Sequence, residues 1–214
     1  MNRLTTVPET SNREFLETHS RAGRVGLAGG SLGIDKVIRR AQRHQDAEKR
    51  WSLWSHALVF QGERADGRHW VLESDLDVHR KIIRLGVQEN RIDKYFDEKM
   101  YPTLAVLDFG LTAAQTAGVI REGLDMVAGG TRYSIAELLS TLFGLRHPSF
   151  RAKRNFLAKD NSVYCSALVQ HLFLKNGVDL VPGVEVKRNS PEDLFRSPVP
   201  HDTWLLERKD GRGG

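Results

Sequence analysis

Among its 214 residues the chain has a single cysteine, which excludes an internal disulfide and a thiolate metal cluster. The fold is therefore expected to form without an oxidising compartment. Long apolar runs are missing as well: nothing approaches the roughly 20 residues that a bilayer span requires. The opening "MNRLTTVPETSNREFLETHSRAGR" lacks the apolar core of a signal or transit peptide, which predicts synthesis in the cytoplasm. No His or carboxylate pair has metal-ligand spacing such as H-E-x-x-H, and the Gly-rich turn "GLAGGSLG" offers no Lys to reach a phosphate. Neither a metal nor another cofactor is expected. Repeats are absent, and no linker is long enough to split the chain.

What is present is an ordinary globular composition with a basic balance of +5, Arg outnumbering Lys. Such a balance favours anionic partners: lipid phosphate, nucleic acid or acidic wall polymer. Because the basic residues alternate with acids ("RIDKYFDEKM", "LLERKDGRGG"), most of this charge reads as a mixed solvated face, and no nucleic-acid motif accompanies it.

Residues 1–22 read as a polar arm or short amphipathic helix, 23–206 as one catalytic-size domain, and 207–214 as a loose tail. "RVGLA" predicts a strand, and "IDKVIRRAQRHQ" a helix with Ile34, Val37, Ile38 and Ala41 on one face. "SHALVFQ" and "WVLES" flank an Asp/Gly turn and predict a hairpin over 55–74. "RKIIRLGVQE", "TLAVLDF" and "DTWLLE" predict further strands. Thr112 and Ser134 are N-cap candidates for helices beginning "AAQTAG" and "IAELL", the second with Glu137 in a capping box. A third helix is predicted for "VYCSALVQHLFLKNG". Strands in one run and helices in the next indicate an α+β fold.

Two readings stand for Cys165. It falls in the first turn of the third helix, where free N–H groups favour a thiolate and could hold an oxyanion. A free Cys is also commonly a small buried hydrophobe. A nucleophile needs a base. Of eight histidines, His19, His44 and His147 lie in polar stretches, and His69 and His79 flank turns. His171 points away from Cys165 on the same helix, and His201 stays open. His56 opens a rigid apolar strand, and Glu73 ends the strand paired with it, so a carboxylate can orient this imidazole. The bland alternatives are a strand-edge His and a solvent-facing acid. Gly29-Gly30-Ser31-Leu32-Gly33 fits G-x-S-x-G, but too few residues precede it for an α/β-hydrolase sheet.

"WSHALVF", "WVLES" a hairpin later, and "VYCSALVQHLF" about 90 residues on together resemble the circularly permuted NlpC-like branch of the papain-like cysteine hydrolases. The resemblance spans roughly residues 23 to 206, with "GRVGLAGG" departing from the usual Gly-Asp opening. It implies a papain-like core in permuted order, an antiparallel sheet packed against the helix bearing Cys165. Cys165 would be nucleophile, His56 base and Glu73 orienting residue, with Tyr164 and Tyr133 lining the cleft by position. The implied activity is a thiol peptidase or amidase acting on cell-wall peptide. A signal-less protein of this kind would be an antibacterial effector or toxin carried to the periplasm by a specialised secretion route, with secretion-machinery or immunity partners. The alternatives are a lipid acyl hydrolase or acyltransferase, a Ser31 hydrolase, or a binding module without turnover.

Overall fold

In a computed structural model of the protein, residues 2–76, 85–129 and 165–208 are described. Their seven strands are β1 (Arg3–Thr6), β2 (Val25–Gly29), β3 (His56–Glu63), β4 (His69–Leu76), β5 (Leu85–Arg91), β6 (Thr103–Asp108) and β7 (Asp202–Glu207). All join one sheet in the order β1-β7-β6-β2-β3-β4-β5. The described helices are α1 (Asn12–His19), α2 (Gly33–Ala41), α3 (Ala113–Ala128), α4 (Cys165–Lys175) and α5 (Pro191–Phe195). The fold is α+β.

Both faces of the sheet are covered, so its inner strands are apolar at almost every position. Strand alternation then sorts them. Leu27, Ala57, Val59, Leu72, Ala105 and Leu107 pack with Val119 of α3 and Leu168, Leu172 and Phe173 of α4. Ala28, Leu58, Phe60, Val71, Leu104 and Val106 pack on the other face with Phe15 and Leu16 of α1 and with Tyr95. Gly26 in β2 belongs with this second set, since a Cβ there would come within 2.5 Å of Leu58 and 2.8 Å of Phe60. The hairpin β3–β4 carries a bulge between Phe60 and Gly62, and Gly62 has a φ of +83° that an L side chain rarely adopts. The N-cap expected at Thr112 forms, its hydroxyl accepting from the Gln115 amide, and Gln115 completes a capping box.

Three expectations change. The sheet is mixed rather than antiparallel, because β1 runs parallel to β7 in register Arg3↔Asp202 to Thr6↔Leu205. Of the arm or short amphipathic helix expected over residues 1–22, the helix is present and a strand precedes it. The segment contributes β1 and α1, with Ser11 capping the helix, and Phe15 and Leu16 are almost fully buried. Each such side chain contributes about 1.5–3 kcal/mol of burial, enough to fix the segment on the sheet. Two residues assigned to the tail are part of the fold: Glu207 closes β7, and Arg208 bonds Asn12 and ion-pairs with Glu98 at 3.1 Å, residues 209–214 lying outside the described set.

Helix α2 also differs. Of the four apolar residues on its expected face, Ile34 (41%) and Val37 (52%) are exposed, while Ile38 and Ala41 are half-buried. Polar groups at its end dock it. Gln42, just past the helix, donates to Trp54 O at 2.8 Å and accepts from the Glu192 amide at 2.9 Å, and Arg39 donates to Ser52 O at 2.9 Å. These bonds satisfy backbone groups that would otherwise be buried without partners. The strand expected over 80–89 is found at Leu85–Arg91, residues 80–84 lying outside the described set, and the helix beginning at Ser134 lies outside it too.

Candidate active site

The bond predicted between the hairpin strands is present. In the β3–β4 register Leu58 faces Glu73, so His56 is the diagonal neighbour of Glu73 on the same face of the sheet. His56 Nε2 lies 2.8 Å from Glu73 Oε2. Glu73 is wholly buried, not the solvent-facing acid of the bland reading.

Three further groups saturate that carboxylate. Lys94 Nζ donates to Oε1 at 2.8 Å and Asn90 Nδ2 donates to the same oxygen at 2.6 Å. The Tyr95 hydroxyl donates to Oε2, and its ring stacks on His56 with centroids 6.3 Å apart and planes 18° from parallel. Tyr95 packs in turn on Tyr101, and Asn12 of α1 donates to the backbone oxygens of both tyrosines at 2.9 Å. Burial on its own would raise the Glu73 pKa. The Lys94 ammonium and His56 together outweigh that burial and hold the carboxyl well below the usual range. Glu73 is an anion locked in place, able to fix the tautomer of His56.

Sequence reasoning missed Lys94, Tyr95 and Asn90. "RIDKYF" reads as a mixed surface stretch. In the structure Ile92–Tyr95 is a single 3₁₀ turn directly after β5, and it folds Lys94 and Tyr95 back onto the sheet. Nothing in the local spacing signals that return.

Cys165 is the first described residue of α4 and is partly exposed. Its neighbour Ser166 donates to Asn189 O at 2.8 Å. The sulfur packs against the cluster under α3 and α4. His56 stacks on Tyr95, which belongs to the opposite cluster, and strand alternation puts it in phase with Leu58 and Phe60. The structure thus joins His56 to Glu73, while among the described residues no hydrogen bond links Cys165 to His56. Tyr133 and Tyr164 lie outside the described residues.

The remaining candidates are occupied elsewhere. His171 lies 3.6 Å from Glu122 of α3, and His69 Nδ1 lies 2.8 Å from the Ser20 hydroxyl. His201 is buried, with Nδ1 2.7 Å from Val199 O and its ring against Phe109. Ser31 does sit between a strand and a helix. However, β2 pairs antiparallel with both its neighbours, unlike the parallel strands around a serine-hydrolase elbow. Among the described residues no three His, Cys, Asp or Glu side chains are grouped to hold a metal. None of the described helices is long and apolar enough to cross a membrane.

No family model matches the chain, and no curated protein matches it. Among solved structures it is similar to the crystal structure of metalloprotein yiiX from Escherichia coli O157:H7, a DUF1105 protein, at 13% identity and a TM-score of 0.56. The similarity covers 89% of this chain and 98% of that one, so it is a likeness of the whole fold and of the fold alone.

Proposed function

We propose that the protein is a papain-like cysteine hydrolase of permuted NlpC type that cleaves amide bonds, with cell-wall peptide as its substrate. The observation that carries this reading is the His56–Glu73 bond at 2.8 Å, an imidazole held by a fully buried carboxylate at the start of a rigid strand. With Nε2 committed to Glu73, Nδ1 is the atom that takes the proton from Cys165. The thiolate adds to the amide carbonyl, and the N–H groups at the start of α4 receive the oxyanion. His56 then protonates the departing amine as the C–N bond breaks, leaving a thioester. Water, deprotonated by His56, cleaves the thioester to the acid and restores the thiol.

The reading requires the thiol to meet the imidazole at the start of β3. Native protein should therefore react with iodoacetamide at pH 7, and His56→Ala should slow labelling of Cys165 at least tenfold. Labelling only after denaturation would show that Cys165 is a core residue, and the hydrolase reading would fall. Expression with a periplasmic export signal should be toxic to bacteria, cytoplasmic expression should not, and Cys165→Ala should abolish the toxicity.

One observation favours a second reading. His56 is in phase with the strand residues that face α1, whereas Cys165 packs on the other side. In that reading the His56–Glu73–Lys94 cluster is a polar core that fixes β5 and the 3₁₀ turn on the sheet. Iodoacetamide labelling of native Cys165 that is unchanged in His56→Ala selects it.

A further inference from the structure

Helix α2 leaves Ile34 and Val37 of its apolar stripe exposed, where a surface helix of a globular protein normally buries the stripe. Its polar side docks on the protein through Arg39 and the following Gln42, and none of its own residues is buried. Ile34 and Val37 are exposed, and Trp51, 48% exposed, lies beside the same helix with the Arg40 guanidinium 5.8 Å from its ring.

Cations flank this strip. Lys36, Arg40 and Arg43 are exposed, and among the described residues none has a carboxylate within ion-pair distance. The nearby acids are engaged: Asp46 with Arg50 and Arg196, and Asp35 as acceptor from the Leu32 amide. The patch therefore keeps its positive charge.

We infer that α2 with Trp51 is an interfacial docking element that lays Ile34, Val37 and Trp51 into the headgroup boundary of an anionic lipid bilayer. Unpaired Lys and Arg beside an apolar strip, with a Trp at the margin, is the chemistry that binds such a surface. A second copy of the chain would cover the apolar strip but would set Lys36, Arg40 and Arg43 against their own like charges. A lipid phosphate surface satisfies both parts. The helix lies on the membrane and does not span it. The inference does not involve Cys165 and stands apart from the hydrolase reading.

The test is co-sedimentation of the full chain with vesicles of phosphatidylcholine alone and with 30% phosphatidylglycerol. Binding is expected only to the anionic vesicles and should weaken as salt is raised. Lys36→Gln or Arg40→Gln should each weaken it roughly fivefold. Val37→Asp and Ile34→Asp, exposed substitutions that leave the core untouched, should reduce it more than tenfold. Circular dichroism and thermal melting of each variant should match the parent. No binding to anionic vesicles overturns the inference. Binding that ignores Val37→Asp also overturns it, because the contact is then plain electrostatic adsorption. A concentration-dependent dimer in sedimentation equilibrium, abolished by Val37→Asp and accompanied by no vesicle binding, would show the strip to be a homodimer face.

Discussion

Replacing Glu73 by Gln keeps the side chain's shape and one hydrogen-bond acceptor but removes the charge that Lys94 and His56 face. Lys94 is only 15% exposed and His56 12% exposed, and the carboxylate between them is 0% exposed. The substitution takes the carboxylate away from an ammonium largely out of water, and breaking such a pair from one side costs about 3–5 kcal/mol. The Gln amide adds a further conflict. Its NH2 presents donors at one of the two oxygen positions, where the carboxylate accepted from Asn90 or from Tyr95. Against a total stability of about 5–15 kcal/mol, a third or more of the margin disappears.

Urea unfolding followed by far-ultraviolet circular dichroism reads this as a lower midpoint at unchanged slope. The pH dependence makes the test sharper. The folded pKa of Glu73 lies below its unfolded value of 4.5, so its contribution is complete above that value and fades as pH falls through the folded pKa. The parent and Glu73→Gln stability curves should therefore lie furthest apart near neutrality and converge in acid. Adding Lys94→Met to Glu73→Gln removes the cation that faced the carboxylate and should recover 1 kcal/mol or more, roughly, as a non-additive coupling. If Glu73→Gln unfolds within about 0.5 kcal/mol of the parent, with a parallel pH curve, the cluster holds no such energy and the reasoning is refuted.

Other substitutions probe separate parts of the molecule. If the hydrolase reading holds, Glu73→Gln should lower kcat more than it raises KM, with a smaller loss than Cys165→Ala, and should add little to His56→Ala in steady-state assays. Ser31→Ala should leave both stability and hydrolysis nearly unchanged in the same assays. Leu168→Ala, in the fully buried face of α4, should cost about 2–5 kcal/mol in urea unfolding. Gly26→Ala should cost about 1–3 kcal/mol, because its methyl would overlap Leu58 and Phe60. Burial first, then the Arg24 and Arg21 guanidinia, lower the His19 pKa, so proton NMR should show it titrating below 6.5. Its contribution to stability is then complete above pH 6.5 and is lost as pH falls.

The hairpin β3–β4, strand β6 and helix α3 are legible because each is written locally. Alternating or continuous apolar residues lie between turn formers, and Thr112 marks the helix start. Strand β1 is not legible, since "RLTT" has no apolar pattern and acquires a partner only from residues 202–207. The exposure of Ile34 and Val37 is hidden for a related reason. The periodicity of α2 shows that they share a face but not which face the protein covers, and the deciding bonds come from Gln42 to Trp54 and Glu192. At the site, the meeting of His56 with Glu73 follows from counting along one hairpin. Lys94, Tyr95 and Asn90 reach the same carboxylate across β5, a register that the hairpin alone does not specify.

The parallel pairing of β1 with β7 sets an order of events during synthesis. Residues 3–6 are made before the rest of the sheet, yet among the described strands their neighbour is β7, some two hundred residues later. Until β7 emerges, β6 also lacks one neighbour and presents an open edge beside an otherwise buried core strand. The nascent protein thus carries an unpaired strand at its beginning and an unpaired edge in its middle, and one late segment closes both. A ribosome stalled before residue 202 would hold a chain ready to pair with another copy of itself.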